Sequence, residues 1–320
     1  MSDIKYYIGP MSKNIVDSVI ELNNPIIGFI PSRRQVDYKG GYFNNWKTKQ
    51  FSEYVNNKVV IERDHGGKNQ GYKRDNGLSS FVFDANYFDI IHIDPWKAYQ
   101  DFDKGLQDTI ECINFIYYEV NNRKVKFEVG TEESIRRFEV DELEKLLSML
   151  EKKLNPNVFE NIIYTVVQSG VGLDLGNSKN TCKFSEKRFY DMIKICDKFG
   201  KMSKDHNGDY LSVDEYKLRF DLGMDAINIA PQFGQLETLC YLDEMGDDIE
   251  DYYRLCYESK RWVKWVNDDF DPENNKRELI EICGHYILSD KRFLKIKPNI
   301  DVEIKQKIKN KLRSLCNDNG

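Results

Sequence analysis

The sequence predicts a (β/α)₈ TIM barrel followed by a C-terminal helical extension. Two observations carry this prediction. Eight short apolar runs, mostly rich in Ile and Val, recur along the first part of the chain, and amphipathic segments lie between them. Short runs without polar alternation are typical of parallel strands buried on both faces. Eight such alternations fit a closed barrel, and an open doubly wound sheet is the alternative.

The eight predicted strands are Lys5–Ile8, Ile26–Ile30, Val59–Arg63, Ile90–Asp94, Lys126–Gly130, Ile162–Gln168, Gly200–Asp205 and Asp225–Ile229. The run that begins at Gly200 is the least apolar of them. The clearest helices are predicted over Asp101–Val120 and Val140–Leu154, where Leu and Ile return at helical spacing. Ser212 and Glu215 form a capping box that predicts the start of a later helix.

The strand–helix rhythm stops after Met245. We therefore predict two parts: residues 1–245 form the barrel that carries the active site, and residues 246–320 form a helical extension packed on it. The extension is charged and contains clusters of Tyr and Trp, which are suited to cover one end or side of a barrel.

The composition limits the expected partners and location. The net charge is −6 with acidic and basic residues interspersed, so we expect neither nucleic acid nor a membrane as a partner. No segment approaches the roughly 20 apolar residues that span a bilayer, and the N-terminus lacks the pattern of a secretory signal. Seven widely spaced cysteines without a CxxC pair are typical of reduced thiols. We expect a cytoplasmic protein.

Polar and ionisable residues follow seven of the eight predicted strands. In a barrel these strand ends form one face, and the active site lies there. Three of the four histidines of the chain belong to this set: His65, His92 and His206. The carboxylates at the same face are Asp64, Asp94, Glu128 and Glu132. Packing alone does not explain this convergence, which indicates a functional site.

The histidines have a structural and a metal-binding interpretation. A single histidine near a strand is more often structural, but His65 and His206 both follow an aspartate and precede a glycine-containing turn. Imidazole suits Zn²⁺, and catalytic zinc usually takes three protein ligands and keeps one position open. His92 is expected one layer deeper, as a ligand, as a group that orients a ligand or as a buried hydrogen-bonding residue.

The carboxylates also have two interpretations. Each alone could neutralise a Lys or Arg of the barrel. Around a shared cation, some would instead orient its ligands or transfer protons.

Short motifs follow one another at the strand ends: SRRQV at Ser32–Val36, GGY at Gly40–Tyr42, DHGGKN at Asp64–Asn69, HID at His92–Asp94, GTE at Gly130–Glu132, VVQSGV at Val166–Val171, HNGDY at His206–Tyr210 and NIAP at Asn228–Pro231. In this order they resemble the D-tagatose-1,6-bisphosphate aldolase subunits of the GatZ/KbaZ type, which are relatives of the class II fructose-bisphosphate aldolases. The resemblance covers about Ile26–Pro231.

The resemblance implies a zinc ion, or another divalent metal, that polarises a ketose carbonyl. It also implies that Asp64 is an acid/base residue, that His65 and His206 bind the metal, and that Asp94 and Glu128 flank it. Class II aldolases have a third histidine at the end of the sixth strand, whereas this chain has Gln168 or Ser169 there. The third ligand is then expected from His92 or Glu128, or the metal is bound weakly or not at all.

The expected site thus has three sets of residues. The expected catalytic residues are Asp64, Asp94 and Glu132. The expected metal ligands are His65, His206, His92 and Glu128. The expected substrate-binding residues are Ser32, Arg33, Gln35, Gly41, Gln168 and Asn228. Arg33 and Arg34 add positive charge near the mouth, which favours an anionic substrate.

Three functions are open at the level of sequence. The first is a metal-dependent aldolase or lyase that acts on a phosphorylated sugar or related ketose. The second is a non-catalytic subunit that stabilises a partner tagatose-bisphosphate aldolase, a role often given to the GatZ/KbaZ type. The third is a metal-independent sugar isomerase or epimerase. An aldolase partner subunit or a homo-oligomer is the expected assembly.

Overall fold

The protein is described here by a computed structural model that covers residues 4–120, 124–170, 172–181 and 183–317. Its strands are β1 (Tyr6–Ile8), β2 (Ile27–Phe29), β3 (Glu62–Gly66), β4 (Ile90–Ile93), β5 (Lys126–Val129), β6 (Ile162–Val167), β7 (Leu173–Asp174), β8 (Lys179–Asn180), β9 (Met202–Asp205) and β10 (Ala226–Ile229). Eight of them form one parallel sheet in the order β2-β1-β10-β9-β6-β5-β4-β3. Parallel bridges from Phe29 to Ile61 and from Ser32 to Asp64 bring its two edges together. The predicted (β/α)₈ barrel is confirmed.

The helices are α1 (Lys13–Leu22), α2 (Thr48–Val55), α3 (Leu78–Tyr87), α4 (Phe102–Asn114), α5 (Val140–Lys153), α6 (Pro156–Phe159), α7 (Glu186–Lys198), α8 (Val213–Asp221), α9 (Pro231–Met245), α10 (Glu250–Ser259), α11 (Lys276–Cys283), α12 (Phe293–Ile296) and α13 (Asp301–Asn317). Short 3₁₀ turns occupy Val263–Trp265 and Gly284–Tyr286. The predicted capping box is present, because the Ser212 hydroxyl accepts from the Glu215 amide and the Glu215 carboxylate accepts from the Ser212 amide. The helix predicted over Asp101–Val120 changes to π-helical geometry at Phe115.

The third strand differs from its prediction. It was expected over Val59–Arg63, but β3 covers Glu62–Gly66, so Asp64 and His65 lie within the strand and not after it. The run of apolar residues ends before the strand does, because β3 turns polar side chains to the barrel interior. The hairpin of β7 and β8, which stands between β6 and α7, carries no strand-like apolar pattern and was not predicted.

One large apolar core lies between the barrel and its helices. It includes Leu146 and Leu147 of α5 together with Ile308 and Leu312 of α13. A smaller apolar cluster lies apart from this core and consists of Ile4, Tyr7, Ile30, Ile90, Tyr164 and Ala226. The barrel interior also holds buried charged residues, which are described below.

The helices after Met245 pack on the barrel helices. Helix α13 lies against α1 and α9, and α11 also contacts α9. Because these helices share the large core with the barrel, the division at residue 245 stays a prediction. Within the described residues, no helix has both the length and the apolar character needed to cross a membrane. Val171 and Cys182 lie outside those residues, and each cysteine within them is a free thiol.

Candidate active site

Three imidazoles meet at the C-terminal mouth of the barrel. His65 comes from β3, His92 from β4, and His206 directly follows β9. Their ring centroids are 5.2 Å apart for His65–His92, 5.3 Å for His65–His206 and 4.9 Å for His92–His206. Asp64 joins them, and one ligand atom from each of the four residues lies within 4.8 Å of the others. The three predicted histidines are therefore brought together with Asp64.

A distortion of β3 allows two consecutive residues to face this site. The register between β3 and β4 shifts between Arg63 and Gly66, and His65 has a positive φ of 45°. A bulge of this kind redirects side chains that would otherwise alternate between faces. Gly66 is needed beside it, because a Cβ there would lie 2.7 Å from the carbonyl oxygen of His92. Such left-handed strain at a non-glycine residue is often found at functional sites.

Carboxylates orient two of the rings. His65 Nδ1 lies 2.6 Å from Asp94 Oδ2, and His206 Nε2 lies 2.9 Å from Glu128 Oε1. An ionised carboxylate only accepts hydrogen bonds, so the proton belongs to these ring nitrogens. The opposite nitrogen of the neutral His206 ring, Nδ1, then presents a lone pair, and His65 Nε2 presents one once its proton is displaced. This arrangement is the one in which metal-bound histidines are usually held.

A backbone carbonyl orients the third ring. His92 Nε2 donates to the carbonyl oxygen of Gly130 at 3.0 Å, which leaves the lone pair on Nδ1. That Nδ1 accepts a hydrogen bond from the backbone amide of His65 at 3.3 Å. The His92 ring is fully buried, and one of its nitrogens lies within 4.8 Å of the ligand atoms of Asp64, His65 and His206.

The donor set fits a divalent cation such as zinc. Asp64 Oδ1 and His206 Nδ1 are buried and have no hydrogen-bond partner within the described part of the chain. Asp64 Oδ1 lies 3.6 Å from His65 Nε2 and 3.7 Å from His206 Nδ1. Ligands about 2.0–2.2 Å from a tetrahedral zinc lie about 3.3–3.6 Å from one another, so a cation would draw together ligand atoms that now lie within 4.8 Å. It would bind His206 Nδ1 and neutralise the Asp64 carboxylate beside it.

Burial and charge shift the pKa values of the cluster. Burial raises the pKa of Asp64 to about 6 against the opposing effect of His65. Burial opposes the charge of His65, but the carboxylates of Asp64 and Asp94 outweigh it and raise its pKa to about 10. Burial lowers the pKa values of His92 and His206 well below the usual range, so both rings are neutral. A cation binding here would displace the His65 proton.

A buried ionic group lies beneath the histidines. Lys204 Nζ lies 2.5 Å from Glu62 Oε2 and 3.2 Å from Glu128 Oε2. The ammonium also lies 3.8 Å from the ring centre of Tyr7. Burial and the neighbouring Glu128 raise the pKa of Glu62 well above its usual range, against the opposing effect of Lys204. Glu128 therefore connects the His206 ring to this ionic group.

A pocket of about 710 Å³ opens above the cluster. Its wall contains the predicted substrate residues Ser32 and Gln35 together with Asp64, His65 and Glu132. This volume falls within the range of small-molecule sites. Asp94 is not in the wall, since it is buried behind His65.

Arg33 is placed away from the pocket wall. Its guanidinium is buried and binds Asp37, Asp75 and the carbonyl oxygen of Gly67. These contacts use its donors to hold the β2 and β3 loops together. The neighbouring Arg34 is the arginine that lines the pocket.

Three other predicted substrate residues also lie outside the pocket wall. The Gln168 amide donates to the carbonyl oxygens of Thr131 and Arg136 and so braces the loop after β5. A Cβ at Gly41 would lie 2.2 Å from the carbonyl oxygen of Gln35, so this glycine permits a close backbone approach. Asn228 is buried, and its Oδ1 lacks a hydrogen-bond partner among the described residues.

Sequence reasoning missed several residues of the site. Glu62 and Lys204 each stand two positions before a predicted site residue, so strand alternation was a signal that could have found them. Lys97 follows β4 in the loop to α4, and it lines the pocket. Lys264 also lines the pocket but comes from the extension, and no pattern in the sequence indicates this.

Comparison with known proteins shows which solved structures share the fold of this chain. No protein-family model matches the sequence, and no curated protein matches it. A solved structure of a probable tagatose 6 phosphate kinase from Sinorhizobium meliloti 1021 has a TM-score of 0.71 at 15% identity, over 97% of this chain and 87% of that chain. The fructuronate-tagaturonate epimerase UxaE from Cohnella laeviribosi has a TM-score of 0.64 at 12% identity, over 100% of this chain and 82% of that chain.

The YdjI aldolase from Escherichia coli K12 is also similar. Its TM-score is 0.56 at 12% identity, over 100% of this chain and 93% of that chain. At such identities these likenesses establish the shared fold. The chain thus shares its TIM barrel fold with these proteins, and its activity depends on the residues of the site.

Proposed function

We propose that the protein is a divalent-metal-dependent aldolase of the class II type that acts on a phosphorylated sugar or related ketose. One observation carries the proposal: the imidazoles of His65, His92 and His206 converge beside Asp64, with one ligand atom of each residue within 4.8 Å of the others, and Asp94 and Glu128 each bind one nitrogen of His65 and His206, respectively. Three histidines with an open fourth position are typical of catalytic zinc. The aldolase-like fold supports the same function.

In this proposal the three imidazoles hold the ion. The carboxylates of Asp94 and Glu128 orient His65 and His206, and Glu128 acts through His206 and not as a ligand, because both its oxygens already accept hydrogen bonds. When bound, a divalent ion polarises the substrate carbonyl and stabilises the negative charge that develops on carbon–carbon cleavage.

Two carboxylates are available for proton transfer. Asp64 is next to the cluster and largely buried, so it is suited to take the proton from the substrate hydroxyl beside the breaking bond. Glu132 lines the same pocket and is suited to exchange a proton with the carbon that loses its bond. Both groups must face the substrate, which agrees with their position in the pocket wall.

Metal content tests the proposal against its alternatives. Purified full-length protein should bind about one zinc per chain, and His92→Ala and His206→Ala should each abolish this. His285→Asn is the matched control, because His285 is buried outside the cluster. Cleavage of ketose bisphosphates should be lost with a chelator and restored by zinc.

The other outcomes separate the alternatives. Full turnover by metal-free protein would contradict the proposal and favour a metal-independent isomerase or epimerase. An intact fold without turnover, combined with activation of a partner aldolase that survives His206→Ala, would favour a non-catalytic subunit.

A further inference from the structure

Three cations surround the mouth of the active-site pocket. Arg34 comes from the loop after β2, Lys97 from the loop after β4, and Lys264 from the 3₁₀ turn of the C-terminal extension. All three side chains are exposed, and all three line the pocket that contains Asp64 and His65. We call Arg34, Lys97 and Lys264 the rim cluster.

The rim cluster has no carboxylate partner. Within residues 4–120, 124–170, 172–181 and 183–317, no Asp or Glu oxygen lies within ion-pair distance of its charged groups, although the chain carries a net charge of −6. Several other cations of the extension are paired, for example Lys276 with Glu250 at 2.8 Å. Arg277, Arg292 and Lys297 also bind carboxylates. The rim cluster is distinguished by the position of its three unpaired cations, which line one pocket.

The charges of the rim cluster also repel one another. Burial lowers the pKa of Lys97, and the charge of Arg34 lowers it further. The pocket wall partly desolvates the ammonium of Lys264, and this lowers its pKa. Repulsion from Arg34, Arg261 and Lys97 lowers it further, whereas Glu132 opposes the shift. The resulting pKa of Lys264 is about 8. Lys264 lies over the Trp265 ring, 4.0 Å from its centre. A bound anion would relieve this repulsion.

Charge divides the pocket into two regions. Asp64 and His65 line it with half-buried side chains beside the other two histidines, whereas the rim cluster lines it with exposed side chains. A substrate with a carbonyl at one end and an anion at the other would contact both regions together. Three convergent cations, including a planar guanidinium, suit the several oxygens of a phosphate dianion better than a single carboxylate.

We propose that the rim cluster binds the phosphate ester of the substrate, so that the C-terminal extension supplies part of the active site through Lys264. The proposal rests on the proposed function for the identity of the reacting end. It does not need the metal for anion binding, because the cluster is made of protein cations alone.

Titration calorimetry on the full chain tests this inference. Glycerol 3-phosphate is the probe, glycerate supplies a carboxylate of similar size, and glycerol is the neutral control. Each ligand is titrated into zinc-loaded protein and into protein treated with EDTA. The variants are Arg34→Gln, Lys97→Gln and Lys264→Gln. Lys291→Gln is the matched control, since Lys291 is an exposed lysine of the extension outside the pocket wall.

Each rim variant should weaken glycerol 3-phosphate binding by about 10-fold or more, since each removes a hydrogen bond between charged groups. Lys291→Gln should bind as the wild type does, and zinc stoichiometry should not change in any variant. Wild-type affinity in all three rim variants would overturn the proposal. Equal or tighter binding of glycerate would overturn the assignment to phosphate.

The two proposals fail in different ways. Protein that fails to bind added zinc, but binds glycerol 3-phosphate through the rim cluster, would contradict only the proposed metal site. The opposite result would contradict only the rim proposal: the protein binds zinc through its histidines, but the rim variants bind glycerol 3-phosphate with wild-type affinity.

Discussion

Glu128→Gln should weaken zinc binding without removing a zinc ligand. Glu128 Oε1 accepts from His206 Nε2 at 2.9 Å, and Oε2 accepts from Lys204 at 3.2 Å. A glutamine has only one acceptor oxygen. If its oxygen faces Lys204, its amide donates toward His206 Nε2, and the ring proton must move to Nδ1, the nitrogen assigned to the metal. If its oxygen faces His206, its amide opposes the Lys204 ammonium.

The magnitude follows from the one interaction that is weakened. A hydrogen bond to a charged group contributes about 1.5–3 kcal/mol, and loss of such an outer partner usually lowers metal affinity by about 10–100-fold. We expect a loss of about 1.4–2.8 kcal/mol in zinc binding, at about 1.4 kcal/mol for each factor of 10. The fold should survive, because Glu62 can ionise and keep Lys204 paired.

Competition with a chromophoric chelator measures this affinity, and the absorption spectrum of the cobalt-substituted protein reports the ligand number. Glu132→Gln is the control, because it removes a pocket carboxylate that has no hydrogen bond to the three rings. It should change zinc affinity by less than about threefold, the effect of a distant charge screened by solvent. Wild-type zinc affinity in Glu128→Gln would refute the reasoning. A changed cobalt spectrum with a loss far above 100-fold would instead make Glu128 a ligand, as the sequence also allowed.

The remaining predictions concern catalysis, stability and pH. Asp64→Asn should lower kcat by at least about 100-fold, because it removes the proton acceptor, while zinc stoichiometry stays at the wild-type value; unchanged kcat would contradict this role. Asp84→Ala should lower the free energy of unfolding by about 3–5 kcal/mol in urea titrations, because it leaves the fully buried Arg63 without its 2.6 Å partner; a loss below about 1 kcal/mol would contradict it. The pKa of Lys264 is about 8, so its charge is present below that pH and is lost above it. The dissociation constant of glycerol 3-phosphate should therefore rise from pH 7.5 to 9.5, with a weaker rise in Lys264→Gln; the same profile in both proteins would contradict this assignment.

The sequence identified site residues correctly where the signal came from adjacent residues at a strand end. His65 and His206 could be selected because each follows an aspartate at a strand end, and the structure brings both to one point. Arg33 shows the limit of this reasoning. Adjacent arginines look alike in sequence, but Arg33 turns inward to Asp37 and Asp75, and only Arg34 lines the pocket. Which of the two faces the pocket depends on how the loop packs against β3.

By itself, the sequence determined the barrel, because apolar periodicity and strand length are local properties that can be recognised in short segments of the sequence. It also determined that polar residues gather at one face, since parallel strands end on the same side. Only the tertiary structure decided which nitrogen of each imidazole faces inward, because that depends on acceptors such as Asp94, Glu128 and the Gly130 carbonyl. It likewise decided that Lys264 reaches the pocket, since that contact joins segments far apart in the chain.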